Sequence, residues 1–272
     1  MRVRSILLGA YVSIALAFLL LPVAIIVLFS FNSGANLSFL LRGLAGYWYG
    51  TALHDPKMVS ALENSLIVGA GMLAVVALVG TPAAWAIARG RFRGRGLLLA
   101  TIVAPVALPG LFIGIALLTF FASIHVHPSL RTVVVAHAVY TLGFYVVIAA
   151  ARFSGLDAAL EEAAWTLGAG RWAVARLVVW PLVRPALFAA LALCLALSLD
   201  EFVITFFVIG AQNTLPIVIF SNVRSVVTPE INAVATVLLL TSWLSVGVAA
   251  LLIQSSARRR RVALAEFVEI GG

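Results

Sequence analysis

One lysine and one cysteine are all that this chain of 272 residues has of either, and its carboxylates number ten. The lone Cys194 excludes an internal disulfide and any zinc site built on cysteines. Lys57 stands in His54-Asp55-Pro56-Lys57-Met58, with no glycine run before it, so the chain lacks the lysine that a phosphate-binding P-loop needs. Charged residues make up only 10% and hydrophobic ones 63%, where a soluble domain has about 25% and about 45–50%. A water-facing globule of this length cannot hide so much apolar side chain. A bilayer removes the difficulty, because lipid covers the outer surface.

The apolar residues come in blocks at about 6–31, 62–88, 97–122, 130–151, 187–209 and 231–253. Each reaches the ~20 residues a helix needs to cross about 30 Å of hydrocarbon. Backbone polar groups in lipid must be satisfied within their own segment, which predicts helices. The short alternating strands of a membrane barrel are not visible. The expectation is an all-α polytopic membrane protein of about six transmembrane helices, one transmembrane domain over 1–272. The first block runs unbroken from Ile6 to Phe31 and is too long for a signal-peptide core, so it is read as a retained span.

Seventeen of the 18 basic residues are arginine. Arg2, Arg4, Arg89, Arg91, Arg93, Arg95, Arg152, Arg171, Arg176, Arg184 and Arg258 to Arg261 fall on one side of the predicted membrane, 14 in all. Arg42, Lys57, Arg131 and Arg224 fall on the other. The positive-inside rule puts both termini in the cytoplasm. The arginines are spread over separate loops and tails and do not interleave with aromatics on a soluble face, so nucleic acid is not an expected partner. Weak attraction to anionic membrane lipid is the better secondary reading.

Several residues carry two readings. Trp48 and Tyr49 either anchor at the membrane interface or line a surface that meets a partner. Pro105 and Pro109-Gly110 must disturb the third span; the break either lines a cavity or only improves packing. Cys194 is read as a small buried residue. His54, His125, His127 and His137 form no convincing metal site. Asp200 and Glu201 are the carboxylates predicted well inside a span, about 20 Å along a helix entering near Leu187 at ~1.5 Å per residue. A charge there marks a translocation pathway favouring a cation, or a buried contact to a neighbouring helix or partner.

The longest predicted cytoplasmic segment, 152–186, reads as a short helix opened by Asp157, a turn permitted by Gly168 and Gly170, and a second helix that Pro181 breaks before the fifth span. Glu161 and Glu162-Ala163-Ala164, then Gly168, then Val178-Val179-Trp180-Pro181 resemble the EAA loop of permease subunits of ATP-binding-cassette importers. The family usually has Ile and Leu where Val178 and Trp180 stand. Phe29-Ser30-Phe31-Asn32, Asn64-Ser65, Ala136-His137, Ser198-Leu199-Asp200-Glu201-Phe202, Thr214-Leu215-Pro216 and Thr228-Pro229-Glu230-Ile231-Asn232-Ala233 resemble the spermidine/putrescine subgroup. There the pair in span five is usually two aspartates; here the second is Glu201.

The resemblance implies a type I importer permease in a bacterial inner membrane. Glu161, Glu162, Ala163, Ala164, Gly168 and Pro181 would couple it to the ATPase. It also implies a second, related permease, two ATPase subunits that bind ATP and magnesium in place of this chain, and an extracytoplasmic solute-binding protein. The chain is then not an enzyme and holds no cofactor of its own. The substrate would be polyamine-like, with opines, aminophosphonates, thiamine and iron as alternatives in the same subgroup. An ion-coupled carrier is the competing class, but it would usually show more spans in repeated halves.

A reporter fused after Arg95 or Arg261 should appear in the cytoplasm, and one near Lys57 or Arg224 outside. A reversed result at any one of these sites would require a different number of spans.

Overall fold

The computed structural model describes residues 2–34, 42–225 and 228–270. Among them the chain is almost wholly helical, as a backbone in hydrocarbon must be, and the only bridge of strand type joins Asn32 to Leu44. The helices run α1 (Arg2–Ser30), α2 (Tyr47–His54), α3 (Pro56–Arg89) and α4 (Arg95–Val103). A 3-10 turn at Ala104–Ala107 leads towards α5 (Gly110–Ser123), then α6 (Leu130–Ser154), α7 (Ala158–Thr166) and α8 (Arg171–Val174). A π-turn at Ala175–Val179 joins α8 to α9 (Trp180–Asp200), followed by α10 (Val203–Val208), α11 (Leu215–Ser225) and α12 (Pro229–Ile270). Among the described residues five helices are long and apolar enough to cross a membrane, and counting the bent α4–α5 pair as one crossing gives six.

The chain sorts into two compact units, residues 1–63 with 214–240 and residues 64–213 with 241–272. In the first, Ala52, Met58 and Ala61 pack against Leu215, Val218 and Val234. The end of α1 is tied down by polar groups. Ser30 Oγ donates to Val27 O at 2.6 Å, so its contact at 2.7 Å with Tyr49 uses the tyrosine's proton. Trp48 Nε1 donates to Asn32 O at 2.7 Å. Trp48 and Tyr49 thus fasten α2 to the chain leaving α1. From Leu7 onward most α1 side chains are exposed, Phe18 at 74% among them.

The core of the second unit lies where α3, α6 and α9 meet, around Met72, Val76, Tyr145, Val146, Val183 and Cys194. Small residues let these helices approach, as is usual in membranes. A second cluster joins α5, α6 and α10 through Ile113, Phe121, Val133, Ala136 and Ile204. A Cβ on Gly114 would lie 2.7 Å from the Phe207 ring, and one on Gly143 would lie 2.6 Å from Val106 Cγ2 and 2.9 Å from the Ile102 carbonyl.

Three expectations need correction. The block 97–122 is not one helix: Arg95–Ala107 and Gly110–Ser123 meet at 113°. Neither Pro105 nor Pro109 can donate an N–H to continue the ladder. The block 187–209 is not continuous either, since α9 ends at Asp200 and α10 starts only at Val203. Pro181, by contrast, breaks nothing: helical structure runs through it from Arg171 to Asp200. Pro181 sits in the first turn of α9, straight after the π-turn, where a missing N–H is tolerated. Nearby Pro185 has no N–H to give either, and Arg152 on α6 donates to the adjacent Leu182 carbonyl, from Nε at 2.9 Å and from Nη2. The predicted span 231–253 lies within α12, and Arg258 to Arg261 fall on its far part, where side chains lie outside the described residues.

Replacing Gly143 with valine should destabilise the protein by about 1–3 kcal/mol, because the added methyls meet a backbone carbonyl as well as Val106. Gly96→Ala, where an added Cβ meets nothing, should melt no lower than wild type. Thermal unfolding in detergent checks both.

Candidate functional site

The predicted coupling loop begins where α6 ends. Asp157 caps α7 by accepting from Ala159 N at 3.0 Å. Its other end closes with Gly168 N donating to Trp165 O and Ala169 N donating to Ala164 O, at 2.9 and 3.0 Å. Gly168 has φ +83°, the left-handed conformation that this closure needs. An added Cβ at Gly168 would meet nothing, so the demand for glycine comes from the dihedral and not from space. Gly170 then starts α8, so the second helix of the loop is the lower part of the same helix that becomes the fifth span.

The two glutamates of the loop part company. Glu161 turns inward to Arg89, the last residue of α3, with Oε1 2.7 Å from Nη2. Arg89 also donates from Nε to Phe153 O at 3.1 Å and from Nη2 to Leu156 O at 3.4 Å, carbonyls at and just beyond the end of α6. Trp85 lies 5.8 Å under the same guanidinium and meets Phe153 edge-on at 5.1 Å. One cation therefore joins α3, the end of α6 and α7. Glu162 and Ala163 face outward, and Ala164 packs partly against the core. Leu160, Trp165, Leu167 and Trp172 of the same loop are exposed apolar side chains, the last two 88% and 78% exposed. Pro181 is exposed farther along.

The second candidate region is the pair of interrupted spans. Asp200 ends α9, and its Oδ1 accepts from Ser242 Oγ on α12 at 2.9 Å. Glu201 lies in the break itself. Its Oε1 accepts from Ile204 N at 2.9 Å, capping α10, and sits 3.7 Å from where a Cβ on Gly110 would stand. Gly110 opens α5 after the bend at Pro109, so the two breaks face each other across Glu201. Among the described residues the one ion pair is Arg89 with Glu161, and no described arginine or lysine pairs with Asp200 or Glu201. Carboxylates at membrane depth without a basic partner favour a cation.

Arg89 and Ser242 entered the sequence reading only as a topology charge and as part of a span. Their partners lie 72 and 42 residues away, beyond the reach of any local pattern. His125 and His127 line a small pocket beside Pro128. Among the described residues no three of His, Cys, Asp or Glu gather as metal ligands would.

The family described as binding-protein-dependent transport system inner membrane component matches residues 78–262. The putrescine transport system permease protein PotI of Escherichia coli K12 is 36% identical over 230 residues, 82% of either chain. The spermidine/putrescine transport system permease protein PotC of the same organism is 30% identical over 245 residues, 90% of this chain and 92% of that one. In three dimensions the chain resembles a chain of a bacterial ABC transporter that imports the acidic polysaccharide alginate, with TM-score 0.68, 19% identity and coverage of 93% and 96%. That likeness carries the fold alone.

Arg89→Ala should lower stability by about 1–3 kcal/mol, the loss of hydrogen bonds from a charged donor. Glu161→Gln should lose less, since an amide oxygen still accepts. The exchanged pair Arg89→Glu with Glu161→Arg should recover part of what either single change loses, which a double-mutant cycle of melting free energies measures.

Proposed function

This chain belongs to the binding-protein-dependent transport system inner membrane components, as a permease subunit of an ABC importer, and from that premise we propose that its cargo is a polyamine, taken in as a cation past Asp200 and Glu201. The observation that carries the proposal is the unneutralised carboxylate pair at the facing breaks of spans three and five. The two permeases of putrescine and spermidine/putrescine systems that it resembles over most of its length support the same cargo.

In this reading the chain forms half of the path. A related permease forms the other half, two ATPase subunits bind and hydrolyse ATP, and a solute-binding protein delivers the polyamine from outside. The membrane is a bacterial inner membrane, with both termini in the cytoplasm. The α7 surface meets the ATPase. Glu162 offers a charge, and Leu160, Trp165, Leu167 and Trp172 offer apolar area rimmed by it, a composition suited to a transient protein contact. Glu161 serves the same coupling from inside, by holding α7 to α3 through Arg89. Ala163, Ala164 and Pro181 shape the loop, and Gly168 sets the angle at which α7 leaves α8.

The test is uptake of labelled putrescine by cells that depend on this transporter, scored separately from assembly. Gly168→Asp, which forces a side chain into the left-handed region at about 1–2 kcal/mol, and Glu162→Ala should each reduce uptake at least tenfold while the chain still inserts. Asp200→Asn and Glu201→Gln should weaken uptake with assembly intact. Normal uptake in both carboxylate variants would sink the pathway role, and lost assembly would assign the pair a structural one. Uptake of an opine or of iron in place of polyamines would overturn the cargo.

A further inference from the structure

His137 is buried to 1% in the middle of α6, and both of its ring nitrogens are engaged. Nδ1 lies 2.8 Å from the Ser198 hydroxyl, before the break in span five, and Nε2 lies 2.7 Å from the Thr205 hydroxyl, after it. One imidazole therefore bridges the interruption from α9 to α10. The protons can be assigned by counting. Thr205 Oγ1 donates its only proton to the Glu201 carbonyl at 2.9 Å. Towards His137 it must then accept, so Nε2 carries the N–H. A singly protonated ring leaves Nδ1 as an acceptor, and Ser198 donates to it. The result is a directed chain from the Ser198 hydroxyl through the ring and Thr205 to the carbonyl of Glu201.

Other bonds restrain α10 from the same helix. Ser129 N donates to Val208 O at 3.2 Å, and the Thr132 hydroxyl lies 2.6 Å from that oxygen. Among the described residues the hydrogen bonds that hold the six residues of α10 to α6 are those of Ser129 and Thr132 to Val208 O at the far end and that of His137 to Thr205 near the break. Asp200 and Glu201 sit between the two hydroxyls that His137 grips. We propose that His137 is a positioning residue: it fixes the angle of the α9–α10 break and so the direction in which Asp200 and Glu201 face the path. This rests on the pathway role proposed for those carboxylates.

The test compares His137→Phe, which keeps a ring but makes neither bond, with His137→Gln, whose amide can accept from Ser198 and donate to Thr205. Ser198→Ala and Thr205→Val each remove one bond and carry the test if the phenylalanine variant does not assemble. The first readout needs no substrate: amide hydrogen exchange in the assembled transporter. In His137→Phe and Thr205→Val, exchange across 201–208 should rise at least tenfold while that of 183–194, in the core of α9, stays at wild-type rates. The second is putrescine uptake, where the apparent KM should rise about tenfold with Vmax changed less than threefold, and His137→Gln should recover most of both. Unchanged exchange at 201–208 in an assembled variant overturns the proposal, and so does a rise that is equal in 183–194, the mark of general loosening. Local exchange that rises as expected while wild-type cells take up no putrescine upholds the positioning role and refutes the polyamine cargo instead.

Discussion

A helix that stops inside hydrocarbon leaves amide and carbonyl groups with no water to turn to, each unsatisfied group costing several kcal/mol. The rest of this fold follows from meeting that demand at two interrupted spans. At the fifth, the Glu201 carboxylate takes the Ile204 amide, Thr205 takes the Glu201 carbonyl, and Ser129 with Thr132 serves the carbonyl of Val208. At the third, prolines remove the donors in place of requiring partners for them. The broken segments then pack on each other, α5 against α10, close enough that a Cβ on Gly114 would press on the Phe207 ring. Polar residues that would be a liability in an unbroken span become the means of closing a broken one.

The six apolar blocks were legible because composition and length decide them. The conformation of the loop after α6 was legible because its signals are local: Asp157 caps, Gly168 reverses, and both lie within a few residues of what they act on. Span three announced its break through Pro105 and Pro109. Span five did not, since Ser198-Leu199-Asp200-Glu201-Phe202 contains neither proline nor glycine and hydropathy runs across it. Pro181 misled in the other direction, because a proline in an apolar run reads as a stop unless the π-turn before it is known. The clasp of Arg89 on Glu161 and the bond from Ser242 to Asp200 depend on tertiary placement, which no spacing in the sequence encodes.

The turn after α7 and the break in span five are the two ends of one helix. The helix from Arg171 to Asp200 has 30 residues, about 45 Å at 1.5 Å per residue. It starts at the turn made by Gly168 and Gly170 and finishes at the carboxylates. The base of that helix joins α7 through the turn, and its side is held by Arg152 of α6, which donates to the Leu182 carbonyl. Arg89 holds α7 to α3 and to the end of α6. Two guanidinium groups thus tie these helices together without a covalent link.

The π-turn at Ala175–Val179 sets the phase of that long helix. The residues it contributes to the core with α3 and α6 are Val174, Val179, Val183, Leu187, Ala190 and Cys194, so that stripe advances by five once and by three or four thereafter. An uninterrupted α-helix with the same residues would rotate Val174 off the core by about 100°, one residue's worth of twist. The wide turn absorbs that angle as a vernier does. The segment outside the span carries one residue more than the α-helical period allows, while both of its ends keep the same side turned inward.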